Sequence, residues 1–221
     1  MADSSLPAVE MVIKTMAETV VANEEYFSQL DAVVADGDFG YSLARGFSAV
    51  LADFDQFDRA NIGTFLKKVA LVISSRVGGA SGPLWGTAFL RAASTAGDKQ
   101  TLAPSDVIAM LRAAAEGIQR RGGAVLGDKT LLDALIPATD ALEAALARPD
   151  GTAALQFAAE AARRAAEATA SMIARKGRAA YTGERSIGSV DAGAVAIAVI
   201  AEGISAAWRE RSRSSTFLNT T

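Results

Sequence analysis

Residues 152–175 read TAALQFAAEAARRAAEATASMIAR: alanine-rich, free of glycine and proline, with apolar residues recurring every three or four positions. That spacing places the apolar residues on one face of an α-helix, and alanine is the strongest helix former. The same pattern extends outward over nearly the whole chain, which holds 48 alanines among 221 residues. Alternating, strand-like stretches are scarce. The periodicity predicts helices over 6–22, 23–33, 40–53, 61–76, 83–96, 104–121, 130–147, 152–175 and 191–211. Ser4-Ser5 and Pro7 mark the start of the first. Pro104-Ser105 opens another, the polar and aromatic run from Asp53 to Asp58 reads as a loop, and Gly97-Asp98 and Arg148-Pro149-Asp150-Gly151 read as turns. Short connections between long amphipathic helices imply antiparallel neighbours, hence an all-α, single-domain bundle. Residues 1–208 are expected to form this domain, and the charged, Ser/Thr-rich residues 209–221 a flexible tail. Arg209, Arg211 and Arg213 read as a solvated helix end.

Two zeros in the composition limit the chemistry. With neither cysteine nor histidine, the chain has no disulfide, no thiolate or imidazole metal site, no Ser-His-Asp or Cys-His arrangement and no possible phosphohistidine. A metal would need oxygen ligands, which suits hard ions such as Mg²⁺. The formal net charge of −3 lacks the concentrated basic face of a nucleic-acid binder. Met1-Ala2-Asp3-Ser4-Ser5 does not resemble a signal peptide, and the apolar run Ala194–Ala201 is far shorter than the roughly 20 residues of a membrane span. The expectation is a soluble cytoplasmic domain with no nucleic-acid or membrane partner.

Four segments are poorly explained by helix packing. In Leu30–Gly40, LDAVVADGDFG, three carboxylates fall within eight residues. On one continuous helix Asp31 and Asp38 would share a face while Asp36 pointed away. A break at Gly37 or Gly40 would let all three converge on a hard cation; a helix cap with a solvated Asp-Gly turn accounts for the same residues. In Val77–Thr87, VGGASGPLWGT, glycines and a serine precede a proline suited to a helix's first turn. Exposed amides there form an anion site, or the glycines merely allow close packing; the ending of a Walker A loop is missing. In Gly127–Asp133, GDKTLLD, Asp128 is a candidate cap for the next helix, and Arg121-Gly122-Gly123 a place where backbone can approach a planar ligand. Ala174–Gly193 carries four basic residues and four glycines. Connections this long are functional or disordered; Arg178 or Arg185 could clamp phosphate, and Asp191 could cap the last helix. Together the segments suit an anionic ligand bridged by metal to Asp31, Asp36 and Asp38, provided the topology brings them to one end.

The motifs LDAVVADGDFG, GGASGPLWGT, GDKTLLDALIPA and ARKGRAAYTGERSIGSVDAGA resemble, in order and spacing, the L subunit of bacterial dihydroxyacetone kinase (DhaL) and the equivalent domain of single-chain kinases, over about Val12–Trp208. The resemblance implies an antiparallel barrel of eight helices, so two predicted helices, 6–22 and 23–33, would form a single element. It implies ADP or ATP as cofactor with two Mg²⁺ ions on Asp31, Asp36 and Asp38. Phe39, Gly40 and Ser42, beside them, would belong to the cofactor-binding set. Gly79, Ala80, Ser81 and Gly82 would cradle phosphates, Gly122, Thr130 and Leu131 would line the adenine and ribose, and Arg178, Asp191 and Gly193 would close over the nucleotide. Family members often carry His at the position of Phe39, Gly at that of Ala35 and Asn at that of Ser42. By resemblance, the chain would be the phosphoryl donor to dihydroxyacetone or a related ketose held on a separate K subunit. It would receive phosphate from a phosphohistidine M subunit of the phosphotransferase system or from free ATP. No catalytic residue beyond the metal and phosphate ligands is implied. The alternative is a nucleotide-loaded regulatory adaptor that binds a transcription regulator.

Overall fold

The computed structural model describes residues 4–147 and 153–218, with side chains through Arg213. The expected turn at Arg148-Pro149-Asp150-Gly151 lies outside the described residues. Among these there are nine α-helices and no strand: α1 (Leu6–Ala22), α2 (Glu24–Ala32), α3 (Phe39–Asp53), α4 (Ile62–Arg76), α5 (Ser81–Ala96), α6 (Pro104–Gly122), α7 (Leu132–Leu146), α8 (Ala154–Ala168) and α9 (Ala192–Leu218). Short 3-10 turns fill 54–56, 169–171 and 178–186.

From α2 onward each helix packs on the next in sequence, α1 packs on α3, and α9 returns to α1 and α2, closing a ring. Asn23, at φ −111° and ψ 18°, separates α1 from α2. Both nevertheless lie between α3 and α9 and form one kinked wall, so the ring has eight walls built from nine helices. With eight antiparallel walls, alternate connections fall at alternate ends. One end gathers the chain start with the α3–α4 and α5–α6 connections: Ser5 N–H donates to Gln100 O at 2.9 Å, Gln100 Nε2 to Ala60 O at 2.5 Å, and Ile62 N–H to Lys99 O at 3.1 Å. The other end receives the α2–α3, α4–α5, α6–α7 and α8–α9 connections, which are the four segments singled out by their sequence.

The interior is filled by Phe27, Phe47, Phe65, Leu43, Ile62, Ile73, Val20, Val50 and Val69, all fully buried. Phe47 meets the Trp85 ring edge-on at 5.9 Å, and Phe54 meets Phe65 in the same way at 5.7 Å. Such pairs add about 0.5–1.5 kcal/mol to the burial itself. Buried alanines at 162, 166, 194, 196 and 198 let α8 and α9 lie close.

Two boundaries depart from the sequence reading by more than two residues. The helix expected over 152–175 ends at Ala168, because Thr169 turns its hydroxyl to the Ala166 carbonyl at 2.5 Å and Met172 is already extended. The last helix runs beyond 211 to Leu218. Its stretch Ala192–Arg213 is long and apolar enough to cross a membrane by length and composition, with mean hydropathy 1.3; in the ring, its Ala194, Val195, Ala198 and Ile200 belong to the core.

Candidate functional site

Helix α2 stops at Ala32, and Gly37 turns the chain with a φ of +74°, a left-handed value that glycine takes without strain. Helix α3 then starts at Phe39. This break folds the acidic segment back, and the carboxylates of Asp31, Asp36 and Asp38 each present an oxygen within 4.8 Å of the others. The donor set, three carboxylates with no soft ligand, fits a hard divalent cation. Asp31 is half-buried, and burial raises its carboxyl above the usual range, opposed by the N–H groups of Phe39 and Gly37; Asp38 raises it further and Arg178 lowers it. Arg178, arriving from the α8–α9 connection, pairs with Asp36, and its Nη1 lies 3.3 Å from Asp38 Oδ2.

Beside the cluster lies the α4–α5 connection. Arg45 Nε donates to the Arg76 carbonyl at 2.9 Å and holds the end of α4. Gly78 abuts the Ser42 hydroxyl of α3, so that an added Cβ would sit 3.0 Å from it, while Gly79 has a φ of +60° and open space around it. Ser81 is the first residue of α5. Pro83 has no N–H, and Gly82 and Leu84 N–H reach back only at 3.4 Å to Gly78 O and Ala80 O. The start of α5 therefore offers weakly engaged amides at the positive end of a helix dipole.

In the α6–α7 connection, Asp128 does not cap α7: its Oδ2 accepts from Val125 N–H at 2.9 Å, inside the turn. Asp133 closes the turn instead, accepting from Gly127 N–H at 2.6 Å and Thr130 N–H at 2.7 Å. Leu131 lies against Gly193 at the start of α9, and Gly122 faces Leu84 of α5. The α8–α9 connection is knitted to this turn. Arg175 N–H donates to Asp128 O at 3.0 Å, and within the connection itself Gly188 N–H donates to Ala170 O at 2.8 Å. Asp191 caps α9, accepting from Ala194 N–H at 2.7 Å, while its own N–H donates to Thr169 Oγ1 at 2.8 Å. Burial pushes the Asp191 carboxyl up to about 7; Ala194 N–H and Lys129 oppose this, and Asp133 and Asp31 reinforce it.

The structure thus brings Asp31, Asp36, Asp38 and Arg178 into one cluster, seats Ser42 against the glycine turn before Ser81, and places Thr130, Leu131, Asp191 and Gly193 along the same end. Phe39 turns toward the interior, its ring 6.3 Å from that of Phe27. Gly40 is buried where a Cβ would collide with the Glu24 carbonyl of α2, which gives it a packing role whatever it binds. Lys129, Asp133 and Arg45 received no role from their sequence. A lysine between an aspartate and a threonine reads as a solvated turn residue, and its burial is set by partners more than forty residues away.

A DAK2 domain model matches residues 33–206. The chain is 40% identical over 190 residues, 84% of its length and 89% of the relative's, to the PEP-dependent dihydroxyacetone kinase, ADP-binding subunit DhaL of Escherichia coli. It is 38% identical over 185 residues, 84% of its length and 88% of the relative's, to the PTS-dependent dihydroxyacetone kinase, ADP-binding subunit DhaL of Lactococcus lactis. A solved structure of the dihydroxyacetone kinase from C. freundii in complex with AMP-PNP and Mg²⁺ superposes with a TM-score of 0.73 at 27% identity, covering 90% of this chain and 34% of that one. The chain therefore spans about a third of the length of that kinase.

Proposed function

Because the chain belongs to the DAK2-domain family, we propose that it is the nucleotide-holding subunit of a dihydroxyacetone-type kinase and donates a phosphoryl group to a small ketose held on a separate K subunit. One observation carries the reading: Asp31, Asp36 and Asp38 converge at the end of the ring where the open start of α5 and the Arg178-bearing connection also lie. Three carboxylates and an arginine are the parts needed to hold a metal-bound polyphosphate. The relatives named as ADP-binding subunits and the neighbour solved with AMP-PNP and Mg²⁺ support ADP or ATP with Mg²⁺ as the ligand.

In this reading Asp31, Asp36 and Asp38 hold two Mg²⁺ ions. The Gly79-Ala80-Ser81-Gly82 amides and hydroxyl, with Ser42 and the Phe39-Gly40 backbone beside them, take phosphate oxygens. Gly122, Thr130 and Leu131 border the base and ribose, and Arg178, Asp191 and Gly193 close the site. Bound Mg²⁺ supplies neutralisation of phosphate charge. The chain's own contribution is positioning: Arg178 sets a positive charge where phosphate charge collects, and the α5 start orients donors toward it. With no histidine, neither a histidine-bound ketose nor a phosphohistidine relay can sit on this chain, so both fall to partner subunits. The relatives named PEP- or PTS-dependent favour a phosphohistidine M subunit as the source of phosphate. The absence of cysteine suits a reducing, cytoplasmic setting.

The test combines the purified chain with its cognate K subunit and dihydroxyacetone and follows formation of the ketose phosphate. Turnover with ATP alone assigns the ATP-exchange route, and turnover only on adding an M subunit and its phosphate source assigns the relay. No turnover by either route, with a K subunit competent beside another L subunit, would overturn the donor reading and leave the regulatory adaptor.

A further inference from the structure

Lys129 is 2% exposed, and its φ of +61° makes it the one non-glycine residue in the left-handed region among those described. An extended side chain there is strained, and glycine would fit the backbone better. What the position gains is reach. From it, Nζ donates to the carbonyl oxygens of Met172 at 3.1 Å, Ser186 at 2.5 Å and Ser189 at 2.7 Å. An ammonium has three N–H donors, and all three are used. Desolvation draws its pKa below the ordinary lysine range, with Asp191 opposing, so this is an ammonium held mainly by carbonyl dipoles.

Every acceptor lies on the α8–α9 connection, at the two feet of its excursion over 175–185. Further hydrogen bonds brace the same feet: Arg175 N–H donates to Asp128 O at 3.0 Å, and Ala174 N–H to the Ser186 hydroxyl at 2.9 Å. Between the feet stand Arg178, paired with Asp36, and Tyr181, 90% exposed. A cation that gathers three carbonyl oxygens from both feet of a loop does what a structural metal ion does elsewhere. It fixes where the loop's own residues can reach.

We propose that Lys129 is a positioning residue of the nucleotide site: by clamping Met172, Ser186 and Ser189 it fixes the feet of the α8–α9 connection and so sets Arg178 over the aspartate cluster. This rests on the nucleotide-binding reading above. Two variants test it. K129G accepts the left-handed backbone and removes the ammonium, and K129M keeps the bulk of the stem. In nucleotide-free protein, hydrogen exchange of amides 172–190 is expected to accelerate by at least about tenfold in K129G. With Mg²⁺ present, ADP affinity by calorimetry is expected to fall by at least about tenfold in both variants. In an R178A background, adding K129G should cost less than about threefold, because the arginine it positions is already gone. Unchanged exchange, ADP affinity within about twofold of the parent, a full penalty retained beside R178A, or failure of both variants to fold would overturn the proposal. Failure of the parent protein to bind ADP with Mg²⁺ would instead overturn the nucleotide reading, while the exchange measurement judges Lys129 without any ligand.

Discussion

Arg178 joins two carboxylates of one cluster across the end of the ring, pairing with Asp36 and standing 3.3 Å from Asp38 Oδ2. The pair links the first and last of the four connections, which are far apart in sequence. It also places the guanidinium where a metal and a phosphate would each act on it with opposite sign.

That opposition predicts a split. In R178A, removing a positive charge beside Asp36 and Asp38 leaves the carboxylates more attractive to a bare cation, so affinity for Mn²⁺ alone should rise severalfold. Affinity for ADP in the presence of Mg²⁺ should fall by at least tenfold, through loss of a charge-assisted phosphate contact worth about 1.5–3 kcal/mol. Paramagnetic titration of Mn²⁺ and calorimetry of ADP measure the two arms. Movement of both affinities in the same direction would contradict this placement of Arg178.

Asp191 gives a pH dependence. Its carboxyl titrates near 7 in the folded chain, against about 3.9 in an unfolded one. Between these values the folded state holds a proton that the unfolded state has released, so the contribution of Asp191 to stability is fullest below about pH 4 and is lost as pH rises toward 7, by at most about 1.4 kcal/mol per unit. D191N keeps an oxygen to accept from Ala194 N–H and has no proton to lose. Chemical denaturation of nucleotide-free protein in chelator, from pH 5 to 8, should show the parent losing stability relative to D191N. Parallel curves would contradict the burial of this carboxyl.

Ligand-linked stability follows from mass action. ADP and Mg²⁺ supplied at a hundred times the dissociation constant should add about 2.7 kcal/mol. At about 2–4 °C per kcal/mol for a chain of this size, the unfolding midpoint should rise by about 5–11 °C. Differential scanning calorimetry on protein stripped of nucleotide measures it, and a midpoint that moves equally with Mg²⁺ alone would contradict nucleotide as the ligand.

Much of the fold was legible because helix periodicity and caps are local. The predicted 40–53, 61–76 and 104–121 match α3, α4 and α6 to within a residue at each end, and Asn61 caps α4 by accepting from Thr64 N–H at 2.7 Å. The convergence of Asp31, Asp36 and Asp38 was legible too, once Gly37 was allowed to break the helix. What stayed hidden depended on distant partners. Alanine periodicity carried the predicted 152–175 helix past Ala168, although Thr169 and Met172 are engaged by Asp191 and Lys129. The short spacing from Asp128 to α7 suggested a cap, but Asp133 takes the Gly127 and Thr130 amides. Phe39, placed by the resemblance in the cofactor-binding set, turns its ring toward Phe27, a contact that sequence spacing does not announce.

In the proposed function the aspartate cluster anchors a metal-bound nucleotide. The most direct measurement is calorimetric titration of nucleotide-free protein with ADP, with and without Mg²⁺, in the parent chain and in D36A and D38A shown to be folded by circular dichroism. The expected result is Mg²⁺-dependent binding in the parent and loss of tight binding, by at least about a hundredfold, in either variant. ADP affinity that is indifferent to Mg²⁺, or unchanged in D36A and D38A, would contradict it.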